Sequence, residues 1–221
     1  MWHSYHIYLH DRTFFLQQLH RLQGCYQNSE LFFIQYLDQI GYHFRLRVRS
    51  EEPEEVEHMI KDYFGNYRIL KKIYDPEYSL FMEALPTYEE YSVKLTEFLV
   101  KYRGILPHHY IEDIIKQLLQ HFNCNHSRFI QSYMTYWKGY ARFQNNHQQE
   151  SLRQQLSTTV DSPPFSNIIS ILNSLGEHHL SEDFCFKFLH MTLNKFGFSI
   201  PDELVILSIY LKQQQLISTS K

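Results

Sequence analysis

Glycine is scarce in this chain, seven in 221 residues, and cysteine scarcer still, three with no CxxC pair. So few glycines leave no Walker loop and no GxGxxG turn, which excludes the nucleotide sites that cradle phosphates in that way. Cys25, Cys124 and Cys185 form an odd, widely spaced set, which argues against a disulfide framework and suits a reducing compartment. No apolar run approaches the length of a bilayer crossing, and Met1–His6 lacks a basic stretch leading into an apolar one. A soluble, cytoplasmic protein without membrane insertion is expected. Excess positive charge is also missing: a net charge of -3 and a pI near 6.5 exclude a protein dedicated to duplex nucleic acid. Neither HExxH nor GxSxG occurs. There are 14 histidines, but His108, His109, Cys124, His126, His178 and His179 show no ligand spacing, so neither a metal nor a cofactor is expected.

Aromatic residues are abundant, 16% of the chain with 17 Tyr and 17 Phe, enough for a packed core and for a site that grips a peptide or flat ligand. The most ordered pattern is Tyr42–Arg49, which alternates apolar and basic residues without a break. That period of two predicts a strand with Tyr42, Phe44, Leu46 and Val48 toward a core and His43, Arg45, Arg47 and Arg49 on the other face. Such an outer row is ordinarily solvated. Read functionally, its guanidiniums are planar donor forks suited to a carboxylate or phosphate.

The rest of the first half reads as strand Trp2–Leu9, a helix capped by Asp11 and running to Gly24, strand Leu31–Leu37, and a helix from Pro53 to Phe64 with acidic residues in its first turn. A further strand is predicted over Tyr67–Tyr74. Then the character changes. A capping box at Thr87 opens a helix toward Gly104, Pro107 opens another, and Asn125 caps a third running toward Phe143. Residues 144–164 are polar and end in Pro163-Pro164, the mark of a loop. Helical segments follow over Phe165–Leu175, Asp183–Phe196 behind Ser181, and Pro201–Leu211. Strands first and helices later imply an α+β fold, one domain over 1–221, with a mixed or antiparallel sheet from residues 1–85 packed with a largely helical part over 86–221.

Three places can carry proton chemistry or bind an anion: the row His43, Arg45, Arg47; the turn Tyr74-Asp75-Pro76-Glu77; and the late segment His190-Met191-Thr192-Leu193-Asn194-Lys195. His and Glu exchange protons, and arginines hold a leaving anion or the charge that grows on a carbonyl. The plain structural reading of His190 is a satisfied helix histidine, and of Glu77 a surface carboxylate beside a turn.

With the Trp2 strand, Phe32-Phe33-Ile34-Gln35-Tyr36, and Glu203, these segments in this order resemble the C-terminal elimination domain of lantibiotic dehydratases, a superfamily that includes stand-alone thiopeptide maturation proteins. The resemblance implies a lyase-type enzyme that removes glutamate from glutamylated Ser or Thr of a ribosomal precursor peptide, leaving a dehydroamino acid. By position, Arg45 and Arg47 would bind the glutamate or the peptide carbonyl and Glu77 and His190 would transfer the proton. His43, Tyr36, Asn194 and Lys195 would line the substrate site. The chain departs from the family pattern where Gln35 and Leu80 replace arginines, and Lys195 replaces another. Related proteins on this scaffold join two dehydroalanines by formal cycloaddition into the pyridine-type ring of thiopeptides, and a third alternative is a non-catalytic partner that binds the precursor peptide. The implied partners are that peptide and a separate tRNA-dependent glutamylating dehydratase subunit, with a homodimer as the alternative to a single chain.

Overall fold

The alternation read in the first half becomes a sheet. In the computed structural model, which describes residues 1–25, 30–76, 81–102, 108–141 and 182–219, there are four strands: β1 (Trp2–Tyr8), β2 (Glu30–Leu37), β3 (Tyr42–Arg49) and β4 (Arg68–Lys72). They pair antiparallel in the order β2-β3-β1-β4. Helix α1 (Arg12–Cys25) joins β1 to β2 and α2 (Pro53–Phe64) joins β3 to β4, so each helix bridges two strands that a third separates, the split β-α-β arrangement used twice. The chain divides into two compact units, Met1–Ile105 with Asn194–Gly197, and Leu106–Leu193 with Phe198–Lys221. The sheet belongs to the first.

Local chemistry sets the boundaries. Asp11 Oδ1 accepts from the Phe14 N–H at 2.9 Å and starts α1. Pro53 stands in the first turn of α2 with Glu54 and Glu55, where a fixed φ and negative charge both favour a helix N-terminus. Between β2 and β3, Asp38 Oδ1 takes the N–H groups of Ile40 and Gly41, and Gly41 has a φ of 143°, a backbone state that only glycine adopts without strain. β4 is shorter than predicted at both ends. The Tyr67 N–H bonds the Phe64 carbonyl, and Tyr74 turns away to Glu89.

One face of the sheet carries the core of this unit. Phe15 of α1 stacks on Phe44 at 3.9 Å and meets Phe33 and Phe64 at 5.2 and 5.6 Å, all four rings fully enclosed. Each such ring stabilises by about 2–3 kcal/mol. The other face is covered in part by α3 (Leu85–Lys101), which packs against β2 and α1 and follows a short 3₁₀ turn at Met82–Ala84. The predicted capping box is not used. Pro86 lies in the first turn and fixes the start at Leu85, so Thr87 is already inside the helix and no side chain caps it. Glu89 is buried instead, and it accepts from Trp2 Nε1 at 2.9 Å and from the Tyr74 hydroxyl at 2.5 Å.

The second unit is helical over its described residues: α4 (His108–His121), α5 (His126–Ala141), α6 (Glu182–Phe196) and α7 (Ile200–Thr219). The last residues of α6, from Asn194, belong to the first unit. Asn125 caps α5 as the sequence predicts, accepting from the Arg128 N–H at 3.1 Å. At the start of α7, Asp202 accepts from the Ser199 N–H at 2.9 Å and from its hydroxyl at 2.6 Å, which carries the helix back to Ile200. The buried stripe Ile111, Ile114, Ile115, Leu118 and Leu119 of α4 matches the predicted periodicity. The polar tract 144–164, the segment Phe165–Leu175, Ser181, Glu77 and Leu80 lie outside the described residues. No described helix is long and apolar enough to cross a membrane.

Candidate functional site

Strand pairing decides what surrounds the basic row of β3. Antiparallel register sets His6 of β1 and Ile34 of β2 beside Arg45, Ser4 and Phe32 beside Arg47, and Tyr36 beside His43. The row is not solvated, contrary to the ordinary expectation for an outer strand face. His43 is 0% exposed and Arg47 1%, Arg45 is partly exposed, and only Arg49 is exposed. The reason is packing on that face. Arg47 donates to the Ser4 hydroxyl and lies 5.3 Å from the centre of the Tyr74 ring. Arg49 leaves the row for ion pairs with Glu30 at 2.6 Å and Glu89 at 3.5 Å, its guanidinium over Trp2.

Arg45 is the guanidinium with a prepared position. Its Cζ lies 3.4 Å above the centre of the Tyr36 ring, and its Nε donates to His43 Nε2 at 3.5 Å. A cation held flat on an aromatic face keeps outward donors for a ligand. His43 is packed between rings, stacked on His6 at 4.8 Å with Tyr8 at 4.7 Å and Tyr36 at 5.6 Å. Burial, reinforced by Arg45, pushes the His6 pKa down to about 4; burial also lowers His43. Both imidazoles are therefore neutral at neutral pH, and the positive charge of this face comes from its guanidinium groups and Lys72.

His6, Asp38 and His43 are the described residues that bring three ligand-type atoms within 4.8 Å of one another. Their geometry does not favour a cation. The two imidazole planes are stacked and only 21° apart, so their in-plane lone pairs lie in separate, nearly parallel planes that one ion does not share. Asp38 is also committed, accepting from the Tyr8 hydroxyl at 2.9 Å and from two backbone amides.

Asn194 and Lys195, expected in the substrate site, lie along the outer edge of β2. Asn194 Oδ1 accepts from the Gln35 N–H at 2.8 Å and its Nδ2 donates to the Gln35 carbonyl at 2.9 Å. Lys195 is 0% exposed, donates to the Phe33 carbonyl at 2.5 Å, and sits over the Phe32 ring at 5.0 Å. Gln35, which stands where an arginine was anticipated, donates its side-chain amide to the Asn194 carbonyl and accepts from the Tyr42 hydroxyl.

His190 belongs to the second unit and has its own buried partner. Its Nδ1 lies 3.0 Å from both carboxylate oxygens of Glu203, and Tyr133 donates its hydroxyl to Glu203 Oε2 at 2.5 Å. Glu203 and Tyr133 are fully enclosed, whereas the His190 side chain is 24% exposed and lies 4.7 Å from the Trp137 ring. Burial raises the Glu203 pKa against the pull of its bonds to His190 and Tyr133; burial and the nearby Glu203 charge hold the Tyr133 hydroxyl well above its usual range. A carboxylate on Nδ1 fixes the ring and its tautomer, leaving Nε2 as the nitrogen turned away from Glu203. No described residue hydrogen-bonds Nε2.

The structure thus brings Tyr36, His43 and Arg45 together, with Arg47 enclosed beside them, and gives His190 a carboxylate. Sequence reasoning gave no roles to His6, Tyr133 and Glu203. Its place in the family resemblance was the available sign for Glu203; nothing in the chain's order ties Tyr133 or His6 to their partners.

The family described as lantibiotic biosynthesis dehydratase C-term matches residues 2–213. No curated protein matches the chain. Among solved structures, the fold is similar to the pyridine synthase TbtD from thiomuracin biosynthesis, with a TM-score of 0.60, 9% identity and 96% of each chain covered. It is also similar to the tRNA-dependent lantibiotic dehydratase MibB from Microbispora sp. 107891, with a TM-score of 0.55 and 17% identity. That alignment takes in 100% of this chain and 28% of MibB, so this chain spans less than a third of that protein's length.

Proposed function

The chain belongs to the lantibiotic biosynthesis dehydratase C-terminal family, and on that premise we propose that it matures a ribosomally made precursor peptide by eliminating glutamate from glutamylated Ser or Thr. The observation that carries the reading is the pairing of His190 with a fully buried Glu203. A surface or core histidine needs no enclosed carboxylate, whereas a general base gains orientation and stabilisation of its protonated form from one. His190 Nε2 takes the α-proton, the electron pair left on the α-carbon forms the double bond to the β-carbon, and glutamate departs with the C–O bonding pair. Arg45, resting on Tyr36, holds the leaving carboxylate or the charge that grows on the peptide carbonyl. Arg47, behind it, adds to the positive potential, and Glu77 is the partner acid. His43 frames Arg45, while Asn194 and Lys195 act at one remove by fixing the edge of the strand that bears Tyr36.

In this scheme the partners are the precursor peptide and a separate tRNA-dependent glutamylating subunit, and the setting is cytoplasmic. One observation favours a second reading, a pyridine-forming cyclase acting on dehydroalanines. Gln35 stands where the family pattern has an arginine and its amide is committed to Asn194 and Tyr42, so the chain has one guanidinium fewer than a glutamate clamp calls for, and cycloaddition has no glutamate to hold.

Mass spectrometry separates these readings. Glutamylated precursor losing glutamate on incubation with the protein supports elimination. Dehydrated peptide converted to a ring with loss of its leader supports the cyclase. Both peptides unchanged, with binding retained, identifies a non-catalytic partner.

A further inference from the structure

Three helices of the second unit meet at Glu203, and the side chain that α5 brings there has no part in the chemistry above. Glu203 of α7 has two donors among the described residues: Nδ1 of His190 on α6, 3.0 Å from each carboxylate oxygen, and the Tyr133 hydroxyl on α5, 2.5 Å from Oε2. Tyr133 and Glu203 are both 0% exposed. The phenol ring is wedged 4.4 Å from Phe186 and 6.2 Å from Phe129, so its hydroxyl has the carboxylate to turn to and no water.

An enclosed carboxylate is costly to ionise, and its alternative is to take up a proton and donate it to Nδ1. The two states leave opposite tautomers of His190. Ionised Glu203 accepts from Nδ1–H, and Nε2 keeps a lone pair; protonated Glu203 donates to Nδ1, and Nε2 carries the hydrogen. Only the first can take a proton at Nε2. A hydroxyl bonds an anion about twice as strongly as a neutral group, so Tyr133 weights the balance toward the ionised carboxylate. Burial keeps the phenol itself protonated, and it stays a donor.

We propose that Tyr133 is a positioning residue that selects the tautomer of His190: by donating to Glu203 Oε2 it holds the carboxylate ionised and leaves Nε2 able to accept a proton. The inference rests on the reading of His190 as a base for its kinetic consequence, whereas the ionisation itself is independent of what the protein turns over. The other titratable groups that act on this cluster do not stand in for the phenol. Asp202, beside Glu203, accepts from the Ser199 amide and hydroxyl, and Cys185, near Tyr133, makes no hydrogen bond to Glu203.

The test follows proton uptake at His190 by NMR in the full chain carrying isotope-labelled histidine, the signal assigned by its loss in His190→Phe. Tyr133→Phe keeps the ring and removes the donor. Loss of a donor to the anion favours the protonated pair, so the midpoint of uptake is expected to rise by about one pH unit, and the acid limb of glutamate release to move up with it. A ring-fluorinated tyrosine at position 133, a stronger donor of nearly the same size, should move both down. A packing role alone would lower stability or rate in Tyr133→Phe and leave the midpoint in place. An unmoved midpoint in either protein, folded by circular dichroism, overturns the proposal, and the fluorinated chain decides it if Tyr133→Phe does not fold. Midpoints that move as stated while neither the wild type nor the variant releases glutamate leave Tyr133 its role and reject elimination instead.

Discussion

Asn194 pairs with Gln35 as though its side chain were a length of backbone, accepting from the Gln35 N–H at 2.8 Å and donating to the Gln35 carbonyl at 2.9 Å. Edge strands expose such groups to pairing with other chains, and here a helix end satisfies them. Asn194→Ala is expected to cost about 2–3 kcal/mol and to promote association through β2. Asn194→Asp should cost at least as much, since an oxygen would then face the Gln35 carbonyl. Urea unfolding and light scattering check both; unchanged stability and a monodisperse solution would show the edge to be protected otherwise.

Arg45 and Arg47 alternate on one strand but are expected to answer differently to removal. Arg47 is enclosed and bonded to Ser4, so Arg47→Ala should lose about 2–4 kcal/mol of stability. Arg45→Ala should stay within about 1 kcal/mol of wild type yet lose turnover. Thermal melts and peptide-conversion rates, measured on the same samples, separate the two.

Glu203→Gln keeps the shape of the side chain but can no longer hold a protonated His190. Turnover is expected to fall about 10²–10³-fold while the melting temperature stays near that of wild type. Equal activity of the variant would reduce Glu203 to a packing residue.

Acid should weaken the first unit through its buried imidazoles. The His6 pKa in the folded chain, about 4, lies below its ordinary 6.5. The unfolded chain therefore binds the proton more readily, and stability present above pH 6.5 is lost as pH falls toward 4. Discounted for partial exposure, the loss attributable to His6 is about 1–2 kcal/mol by pH 4.5. The difference between wild type and His6→Asn, followed from pH 7.5 to 4.5, isolates that share from the carboxylates; a constant difference would contradict it.

Strand β3 was legible because period-two alternation is a local signal, and it came out at its predicted bounds, Tyr42–Arg49. The enclosure of Arg47 was not. It depends on Tyr74 and on α3 closing over a face that the strand's own pattern assigns to solvent. Likewise His190 could be singled out along the chain, but its carboxylate lies 13 residues on in another helix and Tyr133 lies 70 residues from that carboxylate. Spacing carries no sign of such partners. Lys195 shows the opposite limit, for a lysine in a chemically suggestive segment turned out to hold the Phe33 carbonyl of β2.

The most direct test of the account is to incubate a glutamylated precursor peptide with wild type and with His190→Phe and to follow glutamate release by mass spectrometry. Release by the wild type and its loss in a variant that still folds and still binds the peptide is the expected result. Equal release by both proteins, or none by either, would contradict the assignment of His190 as the base of an elimination.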